Sequence, residues 1–408
     1  MVGASTSTRV PAGGLGAGTG AALLVILAGM AGALHVWKLA PALPALSADL
    51  GLSLVQGGLL LSVVQVAGML LGVPVGLAGD RIGLRRGLLL GLTLLTAGSA
   101  VGLGSVGYLP LLGSRVLEGV GFMLVSICAP ALIRRTAPPG RVSLLTGVWG
   151  CHIPLAAALS LLLGGQLEWR TWWGAAAVCS GVMAVAAAAL LAADPPGVRS
   201  RGATDRLRAT LQARGPLLVA LLFLLYTAQW NGVVQFLPTM YADGGVDPSG
   251  AAALGALVAG VNAVGNLGAG AALHHGARPP VLWCTSFAVM GLSAAVAFGV
   301  APHLGPDLEF GVRYGAVLVF SAVGGMVPTT VVAGLLRTAP GPATIATSLG
   351  LGQQLNALGQ FAGPPAVAAV AQATGTWDHT WAVTVALAVC GIALATRVAR
   401  SAPSILRG

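Results

Sequence analysis

The feature that most limits this chain is a recurring apolar segment. Stretches of about 20 residues with almost no charge repeat from residue 20 to residue 399, beginning with GAALLVILAGMAGALHVW at 20–37. A helix rises about 1.5 Å per residue, so each stretch is long enough to cross a hydrocarbon core of about 30 Å. Spanning strands would instead alternate apolar and polar residues over segments of about ten, and no such alternation is present. The pattern predicts an all-α polytopic membrane protein. Twelve transmembrane helices are expected at 20–41, 53–78, 88–107, 110–133, 143–165, 171–193, 216–238, 250–273, 280–300, 312–335, 343–370 and 378–399.

Charge then sets the orientation. Only 8% of residues are charged, against about 25% in soluble domains, yet the net charge is +10. With both termini cytoplasmic, all but four of the 21 basic residues fall on the inner side; the exceptions are Lys38 and Arg115 within spans and Arg170 and Arg313 near the outer side. The opposite orientation would invert the positive-inside bias. The basic excess is therefore a topology signal, and no nucleic-acid partner is expected. The environment is a lipid bilayer, read as a bacterial-type inner membrane. The five cysteines all fall within predicted helices and form no CxxC pair, so no disulfide framework is implied.

The longest polar interruption, ADPPGVRSRGATDRLRATLQARGP at 193–216, carries five arginines and divides the spans six and six. The expected organisation is a flexible cytoplasmic N-terminus at 1–19, a six-helix bundle at 20–193, a cytoplasmic linker at 194–215, a second bundle at 216–399 and a cytoplasmic tail at 400–408. The apolar start could pass for a signal peptide, but eleven further spans favour a retained first helix. The halves echo each other. KLAPALP at 38–44 and GLAGDRIGLRR at 76–86 have counterparts in QFLPTMY at 235–241 and GAALHHGARPP at 270–280. A parallel repeat of this kind occurs in secondary transporters.

GLAGDRIGLRR concentrates charge in a chain that otherwise avoids it. Gly76, Asp80, Arg81, Gly83, Arg85 and Arg86 match G-x-x-x-D-[RK]-x-G-x-[RK]-[RK], and on these residues the chain resembles the major facilitator superfamily, whose loop between helices 2 and 3 carries that pattern. A loop of about nine residues is expected here, with glycine easing the reversal and Asp80 accepting N–H bonds at helix termini. The resemblance implies two pseudo-symmetric six-helix bundles working by alternating access, and a latch role for these six residues. A purely topogenic role for the charges is the alternative.

RVLEGVG at 115–121 resembles the R-x-x-Q-G-x-G pattern of helix 4 in proton-coupled members, with Glu118 in place of the usual glutamine. GVWGCHIP at 147–154 departs from the glycine-proline spacing of exporters. LAPALPALSADL at 39–50, QLEWRTWW at 166–173, FLPTMYADGG at 236–245 and GVNAVGNLGAG at 260–270 resemble the cyanate-permease-like branch, transporters of small and often anionic solutes.

Ionisable groups inside a span are costly and need a partner or a watery cavity. Glu118 is the sole acid in the interior of a span and Lys38 the sole lysine of the chain. Helices 1, 4, 7 and 10 line the central cavity in the resembled family, so Lys38, Arg115 and Glu118 are expected to meet there with a net charge of +1. Protonation of Glu118 would raise this to +2 and strengthen anion binding, which is symport. A cation competing with the proton at Glu118 would give antiport. A structural ion-pair network, with Lys38 snorkelling outward, is the alternative.

Trp149, Gln229, Trp230 and Asn231 are expected to shape the substrate site. The amides of spans 8 and 11 (Asn262, Asn266, Gln353, Asn356, Gln360) read as interhelical contacts instead. GLGAGTG and GNLGAGA lack the strand and acidic residue of a dinucleotide site, and no P-loop motif is present. The expectation is a secondary active transporter taking up a small organic anion with protons, its partners being the small-molecule substrate and protons. No enzyme activity, cofactor, bound metal or obligate protein partner is expected. A proton-antiport exporter of drug-like compounds is the alternative; an integral-membrane enzyme and a metal-ion transporter stand further off.

Overall fold

The protein is described by a computed structural model covering residues 18–401, apart from 53, 165, 195–201, 238–239 and 242–243. Most of the expected N-terminal segment and tail, and the first part of the linker, lie outside the described residues. So do the side chains of Asp80 and Arg81, although their backbone is helical.

The helices of the first half are α1 Thr19–Trp37, α2 Leu39–Leu50, α3 Leu54–Ile82, α4 Leu84–Leu103, α5 Tyr108–Thr136, α6 Val142–Gly150, α7 His152–Gly164 and α8 Trp169–Leu190. A short α9, Ala203–Gln212, follows the linker. The second half comprises α10 Arg214–Val234, α11 Pro248–His274, α12 Pro279–Ala294, α13 Pro306–Gly324, α14 Met326–Thr338, α15 Ile345–Thr374 and α16 Trp381–Ser401. A π-helical turn at Ala295–Val300 extends α12.

Three expected spans are broken helices, and proline explains each break. Proline lacks an N–H and cannot bond to the carbonyl four residues before it. α1 stops at Trp37, four before Pro41; α6 stops at Gly150, four before Pro154; α13 stops at Gly324, four before Pro328. Span 1 is thus α1 with α2, span 5 is α6 with α7, and span 10 is α13 with α14.

Among the described residues ten helical stretches, these three composites included, are long and apolar enough to cross a membrane. α3 and α15 have 29 and 30 residues. Both are long enough to span, and the count of twelve rests on them.

Within the first half α4 packs along α5 and α8, and α1 against α5, α7 and α8. Within the second, α10 packs along α15 and α16, α11 along α13 and α14, and α12 along α16. The halves meet where α3 runs along α15 and where α6 and α7 run along α11.

The expected nine-residue loop at 79–87 is corrected by the structure. α3 continues to Ile82 and α4 begins at Leu84, leaving Gly83 alone as the reversal. Gly83 has φ of +84°, in the region where a Cβ is strained.

Candidate functional site

The glycines of RVLEGVG bring α5 against its neighbours. A Cβ on Gly119 would sit 2.6 Å from the carbonyl oxygen of Val64 in α3, and one on Gly121 2.7 Å from that of Gly91 in α4. Only glycine permits that approach, and it sinks Arg115 and Glu118 into the first bundle.

There Glu118 is fully buried and both its oxygens are taken. Oε1 accepts from Lys38 Nζ at 2.5 Å, and Oε2 accepts from Arg115 Nη1 at 2.5 Å. His35, one turn before Lys38, places Nδ1 3.3 Å from Glu118 Oε1 and 3.4 Å from Lys38 Nζ.

The two cations are equally committed. Lys38 also donates to Ser99 Oγ at 2.6 Å and lies 4.4 Å above the centre of the Trp173 ring. Arg115 Nη1 donates to the carbonyl of His35 at 2.6 Å, while longer contacts at 3.4 Å reach the carbonyls of Val36 and Leu60. With His35 neutral, the cluster carries one positive charge in excess. His35, Lys38, Arg115 and Glu118 are all without solvent exposure.

Lys38, Arg115 and Glu118 therefore touch, but not in the central cavity. Their neighbours Ser99 and Trp173 belong to α4 and α8, inside the first bundle. Nor does Lys38 snorkel, because its ammonium is sealed by Glu118, Ser99 and Trp173.

The cavity between the halves is a separate place. It has about 480 Å³ of empty space and is lined by Val36, Trp37, Ala40, Ser62, Gln65, Gln235 and Gln360, among others. Gln65 of α3 donates to Gln360 of α15 at 3.0 Å across the seam. Trp37 meets Trp230 edge-on at 5.6 Å, and its indole Nε1 is buried without a partner among the described residues. The lining carries no formal charge. It offers three amides, a hydroxyl and an indole N–H between Val36, Ala40 and Leu61.

The other expected site residues stand behind this wall or away from it. Trp230 donates to Ser321 Oγ at 3.0 Å, and Gln229 to the carbonyl of Leu225 at 3.2 Å. Asn231 Oδ1 accepts from Gln235 at 3.1 Å, so it orients a residue of the lining. Trp149 is wedged against Gly29 of α1 and stacks on His152 at 3.9 Å.

Trp37, Gln65 and Ser62 escaped the sequence reading, and Gln360 was read as an interhelical contact only. Their signal was a polar or indole group in an apolar span, the same signal that drew attention to Gln229.

At the face assigned to the cytoplasm, Asp194 holds the ends of three helices. Its oxygens accept from the backbone N–H groups of Arg85 and Arg86 at 3.0 Å and from Arg135 Nη1 at 2.8 Å. Arg85 reaches on to the carbonyl of Ala188. Burial pushes the Asp194 carboxyl up, but the Arg85 N–H, the Arg135 guanidinium and the Arg86 N–H outweigh it and hold it below the usual carboxylate range. Asp194 thus does what was expected of Asp80, accepting N–H bonds at a helix start. Its sequence signal was an acid closing span 6 just before Pro195 and Pro196.

A family model described as Major Facilitator Superfamily matches residues 21–364. The tetracenomycin C resistance and export protein of Streptomyces glaucescens is 31% identical over 170 residues, covering 41% of this chain and 31% of that protein. The methyl viologen resistance protein SmvA of Salmonella typhimurium is 30% identical over 213 residues, or 51% of this chain and 41% of that protein. The chain thus spans about a third to two-fifths of these relatives' length. Two solved structures share the fold. The transporter FucP in its outward conformation aligns with a TM-score of 0.69 at 14% identity, covering 91% of this chain and 98% of FucP. The human organic anion transporter MFSD10 aligns at 0.72 and 19% identity, covering 92% and 98%.

Proposed function

The chain belongs to the major facilitator superfamily, and on that premise we propose that it is a proton-coupled exporter of lipophilic, drug-like compounds in a bacterial plasma membrane. The observation that carries this reading is the separation of charge from cavity. The cavity between the halves is uncharged, with three glutamines and an indole along a wall of mixed polar and apolar character. That gives a small anion no counter-charge and suits an organic molecule held by amides and a ring face. The names of the two relatives, resistance to tetracenomycin C and to methyl viologen, point the same way. They do not extend the resemblance to the cyanate-permease-like branch.

Glu118 is the group proposed to carry the proton. Neutralising it would remove the counter-charge of Lys38 and Arg115 together, leaving two buried cations that must find new partners. The consequence reaches the cavity through α1. His35 and Lys38 face the cluster, while Val36 and Trp37 of the same turn line the cavity. Arg115 additionally holds the carbonyls of His35 and Val36, next to the Pro41 break. Protonation would loosen that turn and shift the Trp37 wall, giving a short path from proton to substrate.

The net positive charge of the cluster supports a second reading, proton-coupled uptake of a small organic anion. That reading requires an anion to displace Glu118 from Lys38 or Arg115. One experiment separates the two. Internal pH is followed in proteoliposomes while organic cations and small anions are added outside. Export by antiport predicts alkalinisation with cations, abolished in Glu118→Gln. Acidification driven by anions would replace this reading with symport.

A further inference from the structure

The face opposite the termini carries a second cavity, within the second half alone. It has about 790 Å³ of empty space, and its walls include Met240, Tyr241, Phe298, Phe310 and Val317. Phe298 belongs to the π-helical turn that ends α12, a local widening common where a helix lines a site. Tyr241, Phe310 and Tyr314 form a triangle with ring centres 6.0 to 6.2 Å apart.

The charged residues of the lining are Glu309 and Arg313. Arg313 Nη2 is shared between Glu309 at 2.9 Å and Asp378 at 3.0 Å. One guanidinium thus faces two carboxylates, and the group keeps a net charge of −1. Two polar atoms are unspent. Tyr241 Oη is buried without a partner among the described residues, and so is Arg313 Nε. Tyr241 as a whole is only 5% exposed. A buried phenol left unpaired costs free energy unless something occupies the cavity and bonds to it.

From this geometry we propose that the cavity is a binding site for an aromatic organic cation. Tyr241, Phe298 and Phe310 supply apolar surface and negative π faces to the cavity, with Tyr314 packed behind Tyr241 and Phe310, and the surplus carboxylate supplies the counter-charge. Tyr241 Oη accepts from an N–H of the ligand when it has one, and Arg313 Nε meets a ligand oxygen. An anion would face the surplus carboxylate with a cation already committed twice. As a station that holds the compound after it leaves the central cavity, the site rests on the exporter reading; as a binding site it does not.

The test uses the purified protein in nanodiscs, with tetraphenylphosphonium as probe, tetraphenylborate as its size-matched anion, and empty nanodiscs as background. Saturable phosphonium binding is expected, about tenfold weaker in Glu309→Gln, where the surplus charge is gone. Val317→Phe, which fills the cavity without touching the charges, should weaken it comparably. Gln360→Ala in the central cavity should leave this component in place. If Glu309→Gln fails to fold, Val317→Phe decides alone. Phosphonium binding that is absent, indifferent to these variants, or matched by borate overturns the site. Binding that depends on Glu309 without phosphonium transport in vesicles keeps the site and removes the exporter reading. Transport with binding indifferent to Glu309 does the reverse.

Discussion

Trp37 and Lys38 are adjacent in sequence and open onto different chemistry. The Trp37 indole lines the cavity between the halves, while the Lys38 ammonium is sealed against Glu118 inside the first bundle. The helix ends between them because Pro41 leaves the Trp37 carbonyl without its usual donor. On the proposed function, the side chain that answers to protonation and the one that meets substrate share a turn already weakened by proline.

Glu118→Gln should damage stability and coupling together. The substitution leaves Lys38 and Arg115 buried without their counter-charge, and breaking such a pair costs about 3–5 kcal/mol. Thermal unfolding in detergent should show a large drop. Substrate-driven pH change in proteoliposomes should vanish, whereas substrate binding should persist. Unchanged pH coupling would remove Glu118 from the proton role.

Trp37→Ala and Gln360→Ala should behave differently. They alter the cavity wall but leave the four residues of the cluster intact. Transport assays should show apparent substrate affinity weakened by about tenfold, with protons still moved per substrate transported. Loss of proton movement with affinity retained would place these residues outside the substrate site.

Asp194→Asn tests the clamp at α4, α5 and α8. Loss of a capping carboxylate costs about 1 kcal/mol at neutral pH. The Asp194 carboxyl lies below its ordinary value in the folded protein, so it contributes stability above the unfolded value near 4 and loses it as pH falls through the depressed folded one. The melting-temperature gap between wild type and variant should hold from pH 7 to about pH 5 and shrink below about pH 4. A gap independent of pH would mean that the charge does not contribute.

Much of this architecture is legible in the chain. The apolar runs locate the helices, and Pro41, Pro154 and Pro328 each stand four residues after a break. Pro74, Pro130, Pro364 and Pro365 lie inside unbroken helices, so surrounding packing decides where a missing N–H ends a helix. Glu118, the one acid in the interior of an expected span, pointed to its cations for a local reason: charge in hydrocarbon must be paired. What the sequence could not show was which side of α1 each residue faces. Lys38 meets Ser99 and Trp173, which come from distant segments. Asp80 drew a capping role by its motif, and its side chain lies outside the described residues. The cap at Arg85 and Arg86 comes from Asp194, 111 residues after Gly83 in the chain, through a tertiary approach that no local pattern announces.

The Gly119 contact gives the last prediction a control on the same helix. A Cβ at Gly119 would press on the Val64 carbonyl, which is backbone and cannot swing aside, whereas one at Gly113 would meet nothing within 4 Å. Gly119→Ala must push α5 away from α3, at about 1–3 kcal/mol for overpacking. It should also stretch the contact from Arg115 to the Leu60 carbonyl, because both run across the same seam. Gly113→Ala should instead be neutral or stabilising by up to about 1 kcal/mol, since alanine loses less freedom in a helix. Thermal unfolding of the two variants should therefore move in opposite directions, and only Gly119→Ala should impair coupling. Equal behaviour would mean that the close approach of α5 to α3 does not hold the cluster in place.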